Sequence, residues 1–300
     1  MTDPTFDVQD MRAVGTFRWP YRTAREHRVH EFTDAPTGRV LRVMGMGRVT
    51  PEDAARAKAS SGESNHRHRH NFDQLYLRVR LPLPGGGGDP VDPVAGTIEY
   101  RPEGVFYGPF EKKRTRAETG SVGVFCGIQT SGASGQPFLS KEQVVAAVER
   151  LVREGPGRFD QETGDYTAPD GTEQDFYEIT WETAMGRKAR YPDPPRAEEI
   201  MSFPVGAYAW SRSAPGVATK RIASFDGGDP AIELIKLDAG ARLVADDSGS
   251  VELTAVLAGG LRIGERGVGD LHVLHVSPHA ARPPIVATEP TLLWTVRWRA

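Results

Sequence analysis

The stretch NHRHRHNFDQLY, residues 65–76, sets His66, His68 and His70 at alternate positions and follows them with Asp73, Gln74 and Tyr76. Alternate residues of a strand share a face, so the imidazoles of His68 and His70 can enter one interior together. Two neutral imidazoles side by side are half of a coordination sphere for a divalent transition ion. The same pair on an exposed strand would be an ordinary basic surface. His66 has the parity to join them but lies near the start of the strand. Asp73 has the opposite parity and reads as a turn or surface group.

The spacing around the pair carries more information. Five residues separate Gly62 from His68, and three separate His70 from Gln74. Further on, five residues separate Gly96 from Pro102; Gly104 follows at plus two, Tyr107 three later and Glu111 four beyond that. These positions resemble the paired signature of the cupin superfamily, G(X)5HXH(X)3-4E(X)6G followed by G(X)5PXG(X)2H(X)3N. The chain departs from it at Gln74 for the glutamate, Tyr107 for the third histidine and Glu111 for the asparagine, and the glycine near position 81 is missing. The last third repeats the pattern in worn form. Gly240, Asp246, Ser248, Glu252 and Gly259 keep the first spacing, and GDLHVLHVSPHAARP from Gly269 blurs the second, with His275 in the proline position and Ala280 in the ligand position. Two copies with agreeing spacings are similar to a bicupin with a vestigial second barrel, over roughly residues 40–135 and 205–300.

The resemblance implies a mononuclear metal held by His68, His70, Gln74 and Tyr107, of which only the two histidines keep the family's residue type. The ion would be Fe(II) first, with Mn, Ni or Zn as alternatives. Gln74 removes the one anionic ligand and should weaken binding of a divalent ion. Tyr107 can restore the charge as phenolate, because a metal lowers the pKa of a group it binds. Tyr107 and Glu111 are the candidate catalytic groups, Glu111 as an oxygen donor or a base. The alternative stays open that Gln74 and Tyr107 only hydrogen-bond each other across an empty barrel, and that Glu111, beside Lys112, Lys113 and Arg114, is a solvated loop.

The elements that must position these residues are short. Thirty-three glycines and 23 prolines punctuate β-branched runs such as GTIEYRPEGVFY, SVGVFCGIQT, VELTAVLAGGLRI and TLLWTVRW. With the family resemblance they predict a mainly β fold: two cupin-like antiparallel β-barrels (double-stranded β-helix, jelly roll) joined by a partly helical connector. The predicted divisions are an N-terminal barrel over 1–138, a connector over 139–204 and a vestigial C-terminal barrel over 205–300. SKEQVVAAVERLVREG reads as a helix capped by Ser140 and ended by Gly155, with EITWETAMGRKAR as a second helical piece. Trp181, Trp210, Trp294 and Trp298 read as core or interface aromatics. Gly85–Gly88 lack the Lys-Ser/Thr of a phosphate loop and read as a hairpin or lid.

Bulk properties exclude some partners. A net charge of −3 and a pI near 6.3 argue against nucleic acid, although Arg67 and Arg69 alternate with the histidines. The polar, acidic start lacks a signal-peptide core, and no apolar run reaches bilayer length, so a cytoplasmic protein with no membrane partner is expected. Cys126, the one cysteine, sits in the apolar run VGVFCGI and reads as a small buried hydrophobe. His272, His275 and His279 have no acid at ligand spacing. Three functions follow from the resemblance. The first is a metal-dependent enzyme acting on a small oxygen-rich or aromatic metabolite, foremost as a dioxygenase or other oxygenase. The second is a redox-neutral metal-assisted lyase, isomerase or cyclase, and the third a non-enzymatic small-molecule binder. A homodimer paired through strand edges is implied as well.

Overall fold

A computed structural model describes residues 5–18, 26–50, 68–83, 89–107, 121–132, 134–160, 165–193, 197–225, 230–243 and 249–299. Strand β5 (Phe72–Pro82) shows the rule that organises it. Leu75, Leu77, Val79 and Leu81 are buried on one face, and Gln74, Tyr76, Arg78 and Arg80 take the other. The apolar face joins a large core, and the polar side chains take the opposite face of the sheet.

The first sheet has the order β11 (Met201–Pro204), β6 (Ala95–Arg101), β5, β7 (Ser121–Ser131), β4 (Val40–Val49), β3 (Glu26–Thr33), β2 (Thr16–Arg18). The second runs β1 (Phe6–Asp10), β19 (His272–Val276), β16 (Ser250–Ala258), β21 (Thr291–Arg299), β14 (Ala231–Leu237), β13 (Val217–Ser224), β12 (Ser211–Ala214). The two orders correspond strand for strand. The first-motif strands β5 and β16 each lie between a second-motif strand, β6 or β19, and the closing strand, β7 or β21. A smaller sheet of β15 (Arg242–Leu243), β20 (Ile285–Ala287), β17 (Gly260–Ile263) and β18 (Arg266–Gly269) covers the second large sheet, making the two-layered roll that the sequence predicts. This is the mainly β, cupin-like, two-unit architecture expected from the paired motifs. The outermost strands are exchanged: β1 pairs with β19, and β11 pairs with β6.

Three cores result. Leu41, Val43, Leu75, Leu77, Ile98 and Cys126 of the first sheet pack against Ile232, Leu234, Val251, Leu253, Trp294 and Trp298 of the second. The interior of the second unit is a separate apolar core around Val256, Leu261, Leu274 and Leu293. The third lies under the connector helices and includes Phe72, Phe138, Val148 and Trp181. Cys126 and three of the four tryptophans named above are fully buried, as expected. A bulge in β4 between Val43 and Met46, with Gly45 at φ +81°, returns Met46 to the shared core and turns Gly47 inward.

The connector follows its caps. Helix α1 spans Lys141–Glu154, with a Ser140–Gln143 capping box and Val144, Ala147, Val148 and Leu151 on its buried stripe. Helix α2 spans Phe176–Met185, starting earlier than predicted because Asp175 caps Glu178, and stopping at Gly186, which is left-handed. Between them, β8 (Arg158–Asp160), β9 (Asp165–Thr167) and β10 (Glu173–Asp175) pair where the sequence reads as loop. Their three-residue length is too short for a periodic signal. The glycines at 85–88 lie outside the described residues. No helix among the described residues is long and apolar enough to cross a membrane.

The shared core ties the units energetically. Leu253→Ala, at a fully buried position between the sheets, should cost about 2–5 kcal/mol. The checking measurement is urea unfolding followed by tryptophan fluorescence and by far-UV circular dichroism. Both signals should shift together to a lower midpoint.

Candidate functional site

The site is built where β5 and the chain after β6 meet. His68 and Tyr107 form an isolated antiparallel bridge, with N–H···O bonds of 2.8 Å in each direction. The Pro102–Gly104 turn makes this approach, since Gly104 is left-handed at φ +82° and its N–H donates to the carbonyl of His70 at 2.9 Å. The spacing of Pro102 and Gly104 therefore serves to bring Tyr107 across the two histidines.

The four side chains named as candidate ligands are neighbours. The Tyr107 hydroxyl lies against Nδ1 of His70, 3.1 Å from its Nε2, and donates to Oε1 of Gln74 at 3.4 Å. The His68 ring is centred 4.1 Å from that of Tyr107 and 5.3 Å from that of His70. His70 stacks on Phe72 at 4.3 Å and meets the edge of Tyr177, from α2, at 4.9 Å. The connector thus supplies part of the wall. His66 and Glu111 lie outside the described residues. Asp73 is a correction: it faces away from the site as its parity requires, but it is buried, accepting from the Tyr100 hydroxyl at 2.9 Å and the Glu103 N–H at 2.8 Å. Arg69 takes the opposite face to the histidines, 3.6 Å over the ring of Tyr191 and 3.6 Å from Glu178, and so fastens the connector to the strand.

Sequence reasoning missed Arg101. Directly opposite Gln74 in the register, its guanidinium donates to Gln74 Oε1 at 3.4 Å and to Glu99 at 2.7 Å, between the rings of Tyr76 and Tyr107. Gln74 in turn donates from Nε2 to the Tyr76 hydroxyl at 3.0 Å. Arg101 stands immediately before Pro102, but only the pairing register reveals that it faces Gln74.

Two imidazoles, an amide and a phenol are the donor types that a divalent ion accepts, and Tyr107 and Gln74 also make the direct hydrogen bond of the metal-free alternative. Among the described residues no group of three or more His, Cys, Asp or Glu side chains is arranged to hold a metal. Any ion here therefore needs Gln74 and Tyr107. With Arg101 adjacent, the missing negative charge must come from the Tyr107 phenolate or from an anionic ligand.

The second unit shows the alternative outcome. Glu252, at the position equivalent to Gln74, accepts from Arg297 at 2.8 Å, from Arg282 at 3.2 Å and from Thr254 at 3.1 Å. Two guanidinium groups occupy the oxygens of this carboxylate. Asp246 and Ser248 lie outside the described residues. His275 points instead into the seam between the sheets, fully buried, 3.7 Å from both Asp7 and Asp34. Burial lowers its pKa. Those acids come from β1 and the turn after β3, out of reach of any local spacing argument.

No family model matches the chain, and no curated protein does. Among solved structures, a mutant of Bacillus subtilis oxalate decarboxylase is 11% identical, with 100% of this chain and 78% of that one covered and a TM-score of 0.47. A Streptomyces albus HEPD, solved with 2-hydroxyethylphosphonate and Fe(II), is 10% identical, with 98% and 76% covered and a TM-score of 0.45. Quercetin 2,3-dioxygenase from Acinetobacter baumannii is 12% identical, with 99% and 88% covered and a TM-score of 0.41. The repeated strand order, not these likenesses, carries the reading of a cupin-like chain.

Glu103 braces the turn beneath the site. It is buried and accepts from the N–H of Ser134 at 2.7 Å, from the Ser134 hydroxyl and from Gln136. Burial holds its carboxyl above the usual glutamate range; the Ser134 hydrogen bonds oppose this, and Asp73 adds to it. The folded state therefore binds this proton more tightly than the unfolded chain. Stability from this group is greatest at acid pH and is lost as pH rises from the ordinary glutamate range through the raised value. Urea midpoints measured across that window should fall with pH in the wild type and fall less in Glu103→Gln. An unchanged slope in the variant would remove Glu103 from the account.

Proposed function

We propose that the first unit is a mononuclear metal-dependent, cupin-type enzyme site for a small oxygen-rich or aromatic metabolite, with oxygenase chemistry as the first reading. The observation that supports it is that the Tyr107 hydroxyl contacts both His70 and Gln74 while the His68 ring packs against the Tyr107 ring. The equivalent place in the second unit is filled by Arg282 and Arg297.

When bound, a divalent ion, Fe(II) in the first instance and Mn, Ni or Zn otherwise, would bring substrate and oxygen together or polarise a substrate carbonyl. The protein's own groups have separable tasks. His68 and His70 are the neutral nitrogen donors, and Phe72 and Tyr177 fix the plane of His70. Tyr107 supplies negative charge when deprotonated and is the group positioned to move a proton. Arg101 orients Gln74 and offers a guanidinium to an anionic substrate. Glu111 is kept in the proposal as an additional base.

One observation favours the redox-neutral lyase, isomerase or cyclase as the second reading. Arg101 beside a neutral donor set favours stabilising an oxyanion over stabilising a more highly charged metal. Turnover that continues without oxygen would select it. The same proposal holds the second unit to be a non-catalytic partner, the divisions to fall at residues 138/139 and 204/205 apart from the exchanged strands, and the protein to be a cytoplasmic homodimer.

The test is elemental analysis of protein purified without a histidine tag, alongside His68→Ala and Tyr107→Phe. Near-stoichiometric metal in the wild type should vanish in His68→Ala and fall in Tyr107→Phe. If wild type and both variants are equally free of metal, the enzyme proposal gives way to a metal-free binding barrel.

A further inference from the structure

The donor atoms adjoin a surface that they do not explain. On the interior face of the first sheet, Gly45 and Gly47 of β4 and Gly123 and Gly127 of β7 stand where side chains would otherwise project. Two aromatic rings occupy the space. A Cβ at Gly127 would lie 2.8 Å from Cε1 of Tyr76, and one at Gly47 would lie 3.1 Å from Cε1 and Cζ of Phe125. Each ring thus lies across a glycine of a neighbouring strand. Tyr76 is paired with Gly127, and Phe125 is paired with Gly47 and Arg78, so the two rings are diagonal neighbours on one face.

Among the described residues, nothing packs over this floor closely enough to bury Phe125. Phe125 is 38% exposed, unusual for a phenylalanine on an inward face, and Tyr76 is half-buried. Its edge is cationic. Arg78 lies 5.4 Å from the Tyr76 ring and Arg101 4.7 Å, and both donate to the single carboxylate of Glu99, at 3.1 and 2.7 Å. The floor is continuous with the donor set, because the Tyr76 hydroxyl accepts from Gln74.

We propose that Tyr76 and Phe125 form a stacking platform for a planar aromatic carboxylate, and that this is the substrate class of the site, an inference that rests on the function proposed above. A flat ring covers two ring faces laid on glycines, where a puckered ring of the same size touches them at few points. A carboxylate at the platform edge meets Arg78, whose side chain is 49% exposed. Cationic ligands are repelled there.

The test is ligand-observed NMR titration of the full-length, untagged protein with benzoate, against cyclohexanecarboxylate (same charge, no flat face) and benzamide (flat, uncharged). Each titration is run on protein as purified and after chelator treatment, with metal content measured on the same samples. Benzoate should bind both preparations, about fivefold or more tighter than either comparator. Phe125→Ala and Arg78→Gln should each weaken benzoate by a similar factor while leaving the melting temperature in place. Equal binding of cyclohexanecarboxylate, unchanged binding in both variants, or no binding to wild type overturns the platform. Binding that disappears with the metal assigns benzoate to the ion and overturns it too. The metal content tests the functional proposal separately, so either can fail alone.

Discussion

Two seven-stranded sheets press their apolar faces together, and this single contact dictates where polar chemistry can occur. Alternation on each strand sends one set of side chains into the shared core. The other set must then face an interior. On β5 that set is Gln74, Tyr76, Arg78 and Arg80; on β16 it is Glu252, Thr254 and Val256, after which a bulge returns Ala258 to the shared core. A slip of one residue in either strand would place a carboxylate or amide in the apolar seam and open the core, so packing fixes the register and the register fixes the site.

The same contact explains the buried charges that are not part of the site. Asp73 belongs to the core side of β5, and it is tolerated there because the Tyr100 hydroxyl and the Glu103 N–H satisfy it. His275 belongs to the core side of β19 and stays neutral through burial, stacked on Phe32 at 5.3 Å. Asp73 ties β5 to the turn after β6, while His275 lies between Asp7 and Asp34 in the seam.

Much of this was legible in the chain. Glycine–proline spacing located the turn that carries Tyr107, the HXH parity placed both imidazoles on one face, and the Ser140 box set the start of α1. What escaped was whatever depends on pairing between distant strands. Arg101 faces Gln74 only through the β5–β6 register, and Arg297 faces Glu252 only through β16–β21. The exchange of β1 and β11 is likewise invisible locally, since a strand of four or five residues pairs wherever an edge is free. Tyr177 reaches His70 through a helix whose sequence shows only that it is capped.

The two units hold the acceptor of their first motif in different ways. In each unit the acceptor of the first motif lies directly opposite an arginine, but on opposite sides: Gln74 opposite Arg101 of β6, and Glu252 opposite Arg297 of β21, the strand that corresponds to β7. Where the acceptor is a carboxylate, the arginine closes on it at 2.8 Å and a second, Arg282, joins. Such a charge-assisted pair in a buried setting is strong and directional, and it uses the oxygens that a cation or ligand would need. Where the acceptor is an amide, the arginine stands off at 3.4 Å and keeps its closer bond for Glu99. The amide oxygen is oriented but not locked. The neutral amide at residue 74 is thus held less tightly by its arginine than the carboxylate at residue 252, because charge assistance acts at only one end of the bond.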